Sequence, residues 1–188
     1  LKADEASDVY LGPRASKASV LRANLDKYRV VAFATHGLLA GDFPGVDEPS
    51  LALANPNNGQ HGLLTLEEIM RLKLDADLVI LSACNTAAGD GAGSDAVSGL
   101  GRGFFYAGTR ALLATHWPVE SYSAKLLVTG IFDRQAATPG LSGAQALRQS
   151  MLALMDQVEK AAPGQPAFSY AHPMFWAPYA WIGEGGPQ

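Results

Sequence analysis

The chain has 188 residues, 48% hydrophobic and 17% charged, the balance of a soluble globular protein with one core of ordinary size. A net charge of −4 with no Lys/Arg cluster leaves no footprint for direct nucleic-acid binding, and the longest apolar runs are too short to span a bilayer. The single cysteine excludes an internal disulfide and points to a reducing, cytoplasmic location; no signal peptide is visible at residues 1–5.

Residues 8–12 are a strand candidate, and residues 16–28 read as a helix with Val20, Leu21, Leu25 and Tyr28 on one face. Residues 29–37 (R-V-V-A-F-A-T-H-G) read as a buried strand ending on His36, which would make a first βαβ unit. A long glycine- and proline-rich connection follows. Within it, residues 50–54 and 62–64 would form a hairpin around Asn57, Asn58 and Gly59. Thr65 then caps a helix, with Glu68 completing a capping box, and the helix is expected to end near Leu74. Residues 77–85 (D-L-V-I-L-S-A-C-N) mirror the His36 run and end on the only cysteine, Cys84, giving a second βαβ unit.

Beyond Cys84 the composition turns to glycine and small residues. Residues 89–93 read as an active-site loop, and a helix of small residues from Asp95 would pack closely on the sheet and stop at Gly108. A third buried strand spans 110–115, before His116. A helix follows over 121–134, and another starts at Ser142, with Gln145 in a capping box, and runs to about residue 160. Residues 174–182 read as a last strand interrupted by Pro178, which argues for an edge or a bulge. Alternating strands and helices predict a three-layer α/β/α domain around a mostly parallel sheet.

In a parallel sheet the two mirrored runs deliver their last residues to one edge, where ligands and catalytic groups collect. A histidine beside a thiol favours the thiolate and can protonate a leaving amine, so His36 and Cys84 would make a Cys-His dyad. The backbone N–H groups of Gly37 and Cys84 would supply an oxyanion hole. Free cysteine is also among the most buried residue types, so packing remains an alternative reading of Cys84. His116 reads as a polar residue at the sheet edge or a rival base, while His61 and His172 read as solvated. No His/Cys/Asp/Glu spacing suggests a metal site, and no cofactor is implied. The glycines at 99, 101 and 103 do not make a dinucleotide turn, since Phe104 stands where the third glycine belongs.

Several stretches resemble the CHAT domain: A-T-H-G at 34–37, L-T-L-E-E-I at 64–69, L-V-I-L-S-A-C-N-T at 78–86 and G-L-G-R-G-F-F-Y-A-G at 99–108. H-W-P-V at 116–119, A-L-R at 146–148, H-P-M-F-W-A-P-Y at 172–179 and the closing W-I-G extend the resemblance over nearly the whole chain. It implies a caspase-like fold over residues 1–188, related to separase, the gingipains and legumain. It also implies cysteine endopeptidase activity on protein or peptide substrates, with His36 and Cys84 as catalytic residues. The domain would form the C-terminal part of a longer protein, as the leucine at residue 1 also suggests, with a tetratricopeptide-type regulatory repeat domain or partner.

Two departures from the family pattern set further expectations. No first strand of the usual six is found, so the N-terminal side of the sheet is expected to be incomplete. The pair of acidic residues common after W-P-V is reduced to Glu120 followed by Ser121. Glu120, Asp90 or Asp95 would receive a basic substrate side chain. Two other functions compete with the peptidase: an inactive or regulatory caspase-like interaction module, and a small-molecule cysteine hydrolase or acyltransferase.

Overall fold

Local capping decides the N-terminal structure. Asp4 accepts the backbone N–H groups of Ala6 and Ser7 at 3.0 and 2.9 Å and starts a short helix, α1 (Glu5–Asp8). Pro13 then enters a 3-10 turn (Gly12–Arg14), so the strand expected at 8–12 does not form and the first βαβ unit is absent. The computed structural model describes residues 3–42, 44–55, 61–82, 99–159 and 168–184. Ser16 caps α2 (Lys17–Arg22), which ends where Ala23 turns extended; a separate 3-10 turn (Leu25–Lys27) completes the helical stretch expected over 16–28.

The run ending at His36 is divided between two sheets. β1 (Val30–Phe33) joins the main sheet, while β2 (His36–Leu38) pairs with β3 (Ser50–Ala52), and β3 with β4 (Leu63–Thr65), antiparallel throughout. At the break the Thr35 hydroxyl donates to the Ala52 carbonyl, so His36 opens a strand instead of closing one. The β3–β4 pairing is the expected hairpin, though its turn at 57–59 lies outside the described residues. The Thr65–Glu68 capping box is present on α3 (Leu66–Met70), which ends before Leu74, whose N–H instead bonds the Ala107 carbonyl at 2.9 Å.

β5 (Leu78–Leu81) is the centre of the main sheet and is buried at every position. Its apolar side chains have no polar atoms to satisfy, so both faces can be covered. α4, described from Gly99 (Gly99–Ala107), leads through Gly108 at φ 110° into β6 (Ala111–Thr115), also fully buried. α5 (Ser121–Ala137) and α6 (Gly143–Met155) follow, the latter with the Ser142–Gln145 capping box. α6 stops at Met155, short of 160, because β7 (Val158–Glu159) pairs with β8 (Phe168–Ser169). His172 and Pro173 start a helix, α7 (Pro173–Trp176), where a strand was expected, and the strand β9 (Tyr179–Gly183) begins only after Pro178.

The main sheet runs β1-β5-β6-β9, with β1, β5 and β6 parallel and β9 antiparallel. Side chains alternate across it. Val79, Leu81 and Leu112 face α3 and α4, packing with Phe33, Ile69, Leu100 and Phe104. Leu78, Ile80, Ala111 and Leu113 face α5 and α6, packing with Leu127, Ile131, Leu147 and Leu154. This is the predicted three-layer α/β/α arrangement with a mostly parallel sheet. The small residues of α4 serve two contacts: Ala107 is buried with Val79, Leu81 and Leu112 of the sheet, while a Cβ at Gly103 would lie 2.6 Å from Leu66 Cδ1 on α3.

Among the described residues the main sheet has four strands, and β1 is an edge. Ser82 N–H donates to Phe33 O, so Phe33 and Val31 turn their backbone groups to β5, while Val30 and Ala32 turn theirs outward.

Candidate functional site at the carboxyl edge

The parallel strands β1, β5 and β6 end on one edge, and antiparallel β9 begins there. Phe33 ends β1 three residues before His36, and Leu81 ends β5 three residues before Cys84. The two strand ends are tied directly, Ser82 N–H donating to the Phe33 carbonyl at 3.0 Å. Cys84, Asp90 and Asp95 lie outside the described residues.

His36 is exposed at the start of β2, opposite Ala52; Gly37, half-buried, stands opposite Leu51. The paired strand β3 fixes the backbone of both residues, and the Thr35 bond to Ala52 anchors the approach. His116 follows β6, half-buried, its N–H donating to the Pro178 carbonyl at 2.9 Å and its ring 6.3 Å from that of Trp117. It stands at the sheet edge, directly after the end of β6. His61 and His172 are exposed. His172 also serves the fold, since its Nδ1 accepts the Met174 N–H at 3.2 Å and starts α7.

Glu120 caps α5. One carboxylate oxygen accepts the Tyr122 N–H at 2.8 Å and the other the Ser123 N–H at 2.7 Å. Burial pushes this carboxyl up, but the N–H groups of Ser123 and Tyr122 outweigh it and hold the group below its ordinary value.

One pair at this edge escaped the sequence reading. The hydroxyls of Ser82 and Tyr179 share a hydrogen bond of 3.1 Å. Tyr179 is buried, which pushes its phenol up, partly offset by the bond to Ser82. The available signal was a serine two residues before Cys84 and a tyrosine directly after Pro178, but nothing local connects residues so distant in sequence.

Among the described residues no group of three His, Cys, Asp or Glu side chains is placed to hold a metal ion, and no helix is long and apolar enough to cross a membrane.

The family model of the CHAT domain matches residues 1–184. The chain belongs to the CHAT domain family. This CHAT domain is also similar to tetratricopeptide repeat protein 28 of Mus musculus, with 31% identity over 122 residues, 65% of this chain. The match spans only 4% of that protein's length.

Proposed function

We propose that this CHAT domain is a caspase-like cysteine endopeptidase in which His36 and Cys84 act as a dyad. The observation that carries this reading is the Ser82–Phe33 backbone hydrogen bond. It joins the ends of two parallel strands whose continuations hold the histidine and the cysteine of the family motif.

In this mechanism the Cys84 thiol gives its proton to His36, and the thiolate attacks the scissile carbonyl carbon. The N–H groups of Gly37 and Cys84 receive the oxyanion. His36 then protonates the leaving amine as the C–N bond breaks, which leaves an acyl-enzyme. Water, deprotonated by His36, attacks the thioester and releases the acid and the thiol. Glu120, Asp90 and Asp95 are the candidate receivers of a basic side chain next to the cleaved bond. Glu120 is exposed, and its two helix-capping bonds leave lone pairs on both oxygens. Access to the edge would be governed by a repeat-bearing segment or partner, a role suggested by the tetratricopeptide name of the relative.

A second reading has its own support. An inactive or regulatory interaction module needs only the α/β/α shell and the family membership, and His36 is exposed on the smaller sheet instead of being held in the main one. A panel of acyloxymethyl ketone peptide probes, read by intact mass, separates the two. Under the peptidase reading Cys84 is labelled and His36→Ala abolishes the labelling. Failure of every probe on the full-length protein with its partner would leave the interaction module. A preference for probes with acidic or aromatic residues at the cleavage position would remove the assignment of Glu120, Asp90 and Asp95.

A further inference from the structure

β6 hands the chain to α5 at the carboxyl edge, and α7 returns it there, since Tyr179 at the start of β9 pairs with Thr115 at the end of β6. α7 lies against α5, and a row of rings joins the two helices. Tyr170, buried, is the middle of the row. The Tyr122 ring on the first turn of α5 is 6.0 Å from it, and Phe175 of α7 meets it edge-on at 5.0 Å.

Tyr122 is thus backed by Tyr170, yet it remains 46% exposed, and Met174, beside Phe175 on α7, is 52% exposed. Single exposed apolar residues are ordinary on a folded surface. These two flank one aromatic pair and make a shelf with a firm ring at one side and an adaptable thioether at the other. The shelf is short, one turn of α5 and the four residues of α7, so it suits one large side chain and not the face of a helix.

Glu120 stands at its border. The carboxylate accepts the Tyr122 N–H at 2.8 Å, which puts a negative charge beside the shelf. That charge disfavours an anionic membrane surface and favours a basic group. In an extended peptide, side chains two residues apart share a face and lie about 6–7 Å from each other, so one strand can offer both groups.

We propose that Tyr122 and Met174 form a docking site for a large apolar side chain of an extended peptide, with a basic residue of the same peptide, two positions away, on Glu120. The inference rests on the proposed role of Glu120 for the basic residue alone; the apolar contact needs neither Glu120 nor cleavage.

Fluorescein-labelled peptides of a Gly-Ser background, carrying Arg-Ser-Phe, Arg-Ser-Ser or Ser-Ser-Phe, are titrated by anisotropy with the full chain bearing Cys84→Ala, which prevents turnover. Arg-Ser-Phe is expected to bind about tenfold more tightly than Arg-Ser-Ser, the worth of a partly buried large side chain. Tyr122→Ala and Met174→Ser should each remove much of that difference, with the Arg-Ser-Ser affinity and the circular dichroism spectrum unchanged. Lys125→Ala, one turn further along α5, should leave both affinities as they are. Equal binding of the Phe and Ser peptides, no binding of any of the three, or a loss in Tyr122→Ala that is equal for both peptides would overturn the proposal. So would self-association of the chain that Tyr122→Ala abolishes while the peptides stay unbound, which would give the shelf to a second copy. Glu120→Gln should bring Arg-Ser-Phe to the affinity of Ser-Ser-Phe. If it changes nothing, the Glu120 half of the proposal fails, while the dependence on Phe still decides the shelf.

Discussion

The two strand ends that meet at the carboxyl edge are held very differently. β5 is buried at all four positions, between two helical layers. β1 is an edge strand, buried only at Phe33, and His36 stands exposed in a second, three-stranded sheet. In the sequence the two runs look like mirror images. The fold gives one the rigid centre of the domain and splits the other across a rim. In the proposed mechanism the nucleophile then follows the most constrained strand, and its base sits exposed on a strand whose sheet partners, β3 and β4, send Leu51 and Leu64 into the core.

That contrast predicts a separation of activity from stability. His36→Ala should lower kcat/KM for peptide cleavage by about 10²–10⁴-fold, the usual worth of a general acid–base, with the urea midpoint unmoved. A midpoint that fell with activity would mean that the His36 side chain also supports the fold. Leu81→Ala should do the opposite, costing about 2–5 kcal/mol by urea unfolding, since the side chain is fully buried. The corresponding change on the edge strand, Val31→Ala, should cost about 1 kcal/mol. Equal losses at both positions would erase the distinction between the strands.

An effect between those two is expected at Gly108, which joins α4 to β6. Its φ is 110°, and a Cβ there would lie 2.3 Å from the Leu74 carbonyl oxygen, so Gly108→Ala should cost about 1–3 kcal/mol. Thermal unfolding that matches the native protein would refute that strain. The smallest effect falls on the rim side, at Glu68, where the α3 cap meets an ion pair with Lys17 at 2.7 Å. Burial pushes the Glu68 carboxyl up, but Lys17 and the Thr65 N–H outweigh this and hold it below its ordinary value near 4.5. A carboxyl depressed by folding contributes stability above its unfolded value and loses it as pH falls through the folded one. Glu68→Gln should therefore cost up to about 1 kcal/mol at pH 7, and nothing once the pH is well below 4.5. A cost that persisted after the folded carboxyl had been protonated would assign it to packing instead of charge.

The legible features were those with local causes. The capping boxes at Thr65 and Ser142, the buried runs of β5 and β6, the β3–β4 pairing and the stop at Gly108 each follow from a few neighbouring residues. The misreadings also had local causes, outweighed by others equally near. Val9 and Tyr10 suggested a strand, but the Asp4 cap and Pro13 made helical turns around them. Phe175 and Trp176 suggested another, but His172 and Pro173 nucleated α7. The division of the His36 run depended on a bond from Thr35 to Ala52, and the Ser82–Tyr179 pair on strand order; neither is written in local pattern.

The distance in sequence between Ser82 and Tyr179 also sets an order in time. A ribosome adding about 5–20 residues per second delivers Tyr179 roughly 5–20 s after Ser82, a gap of 97 residues. Until then the nascent chain can pair β1 with β5, but it lacks the strand that closes the sheet and the hydroxyl that holds Ser82. The edge that carries the proposed chemistry is thus finished last, after the hairpin, the helices and the rest of the sheet have been made.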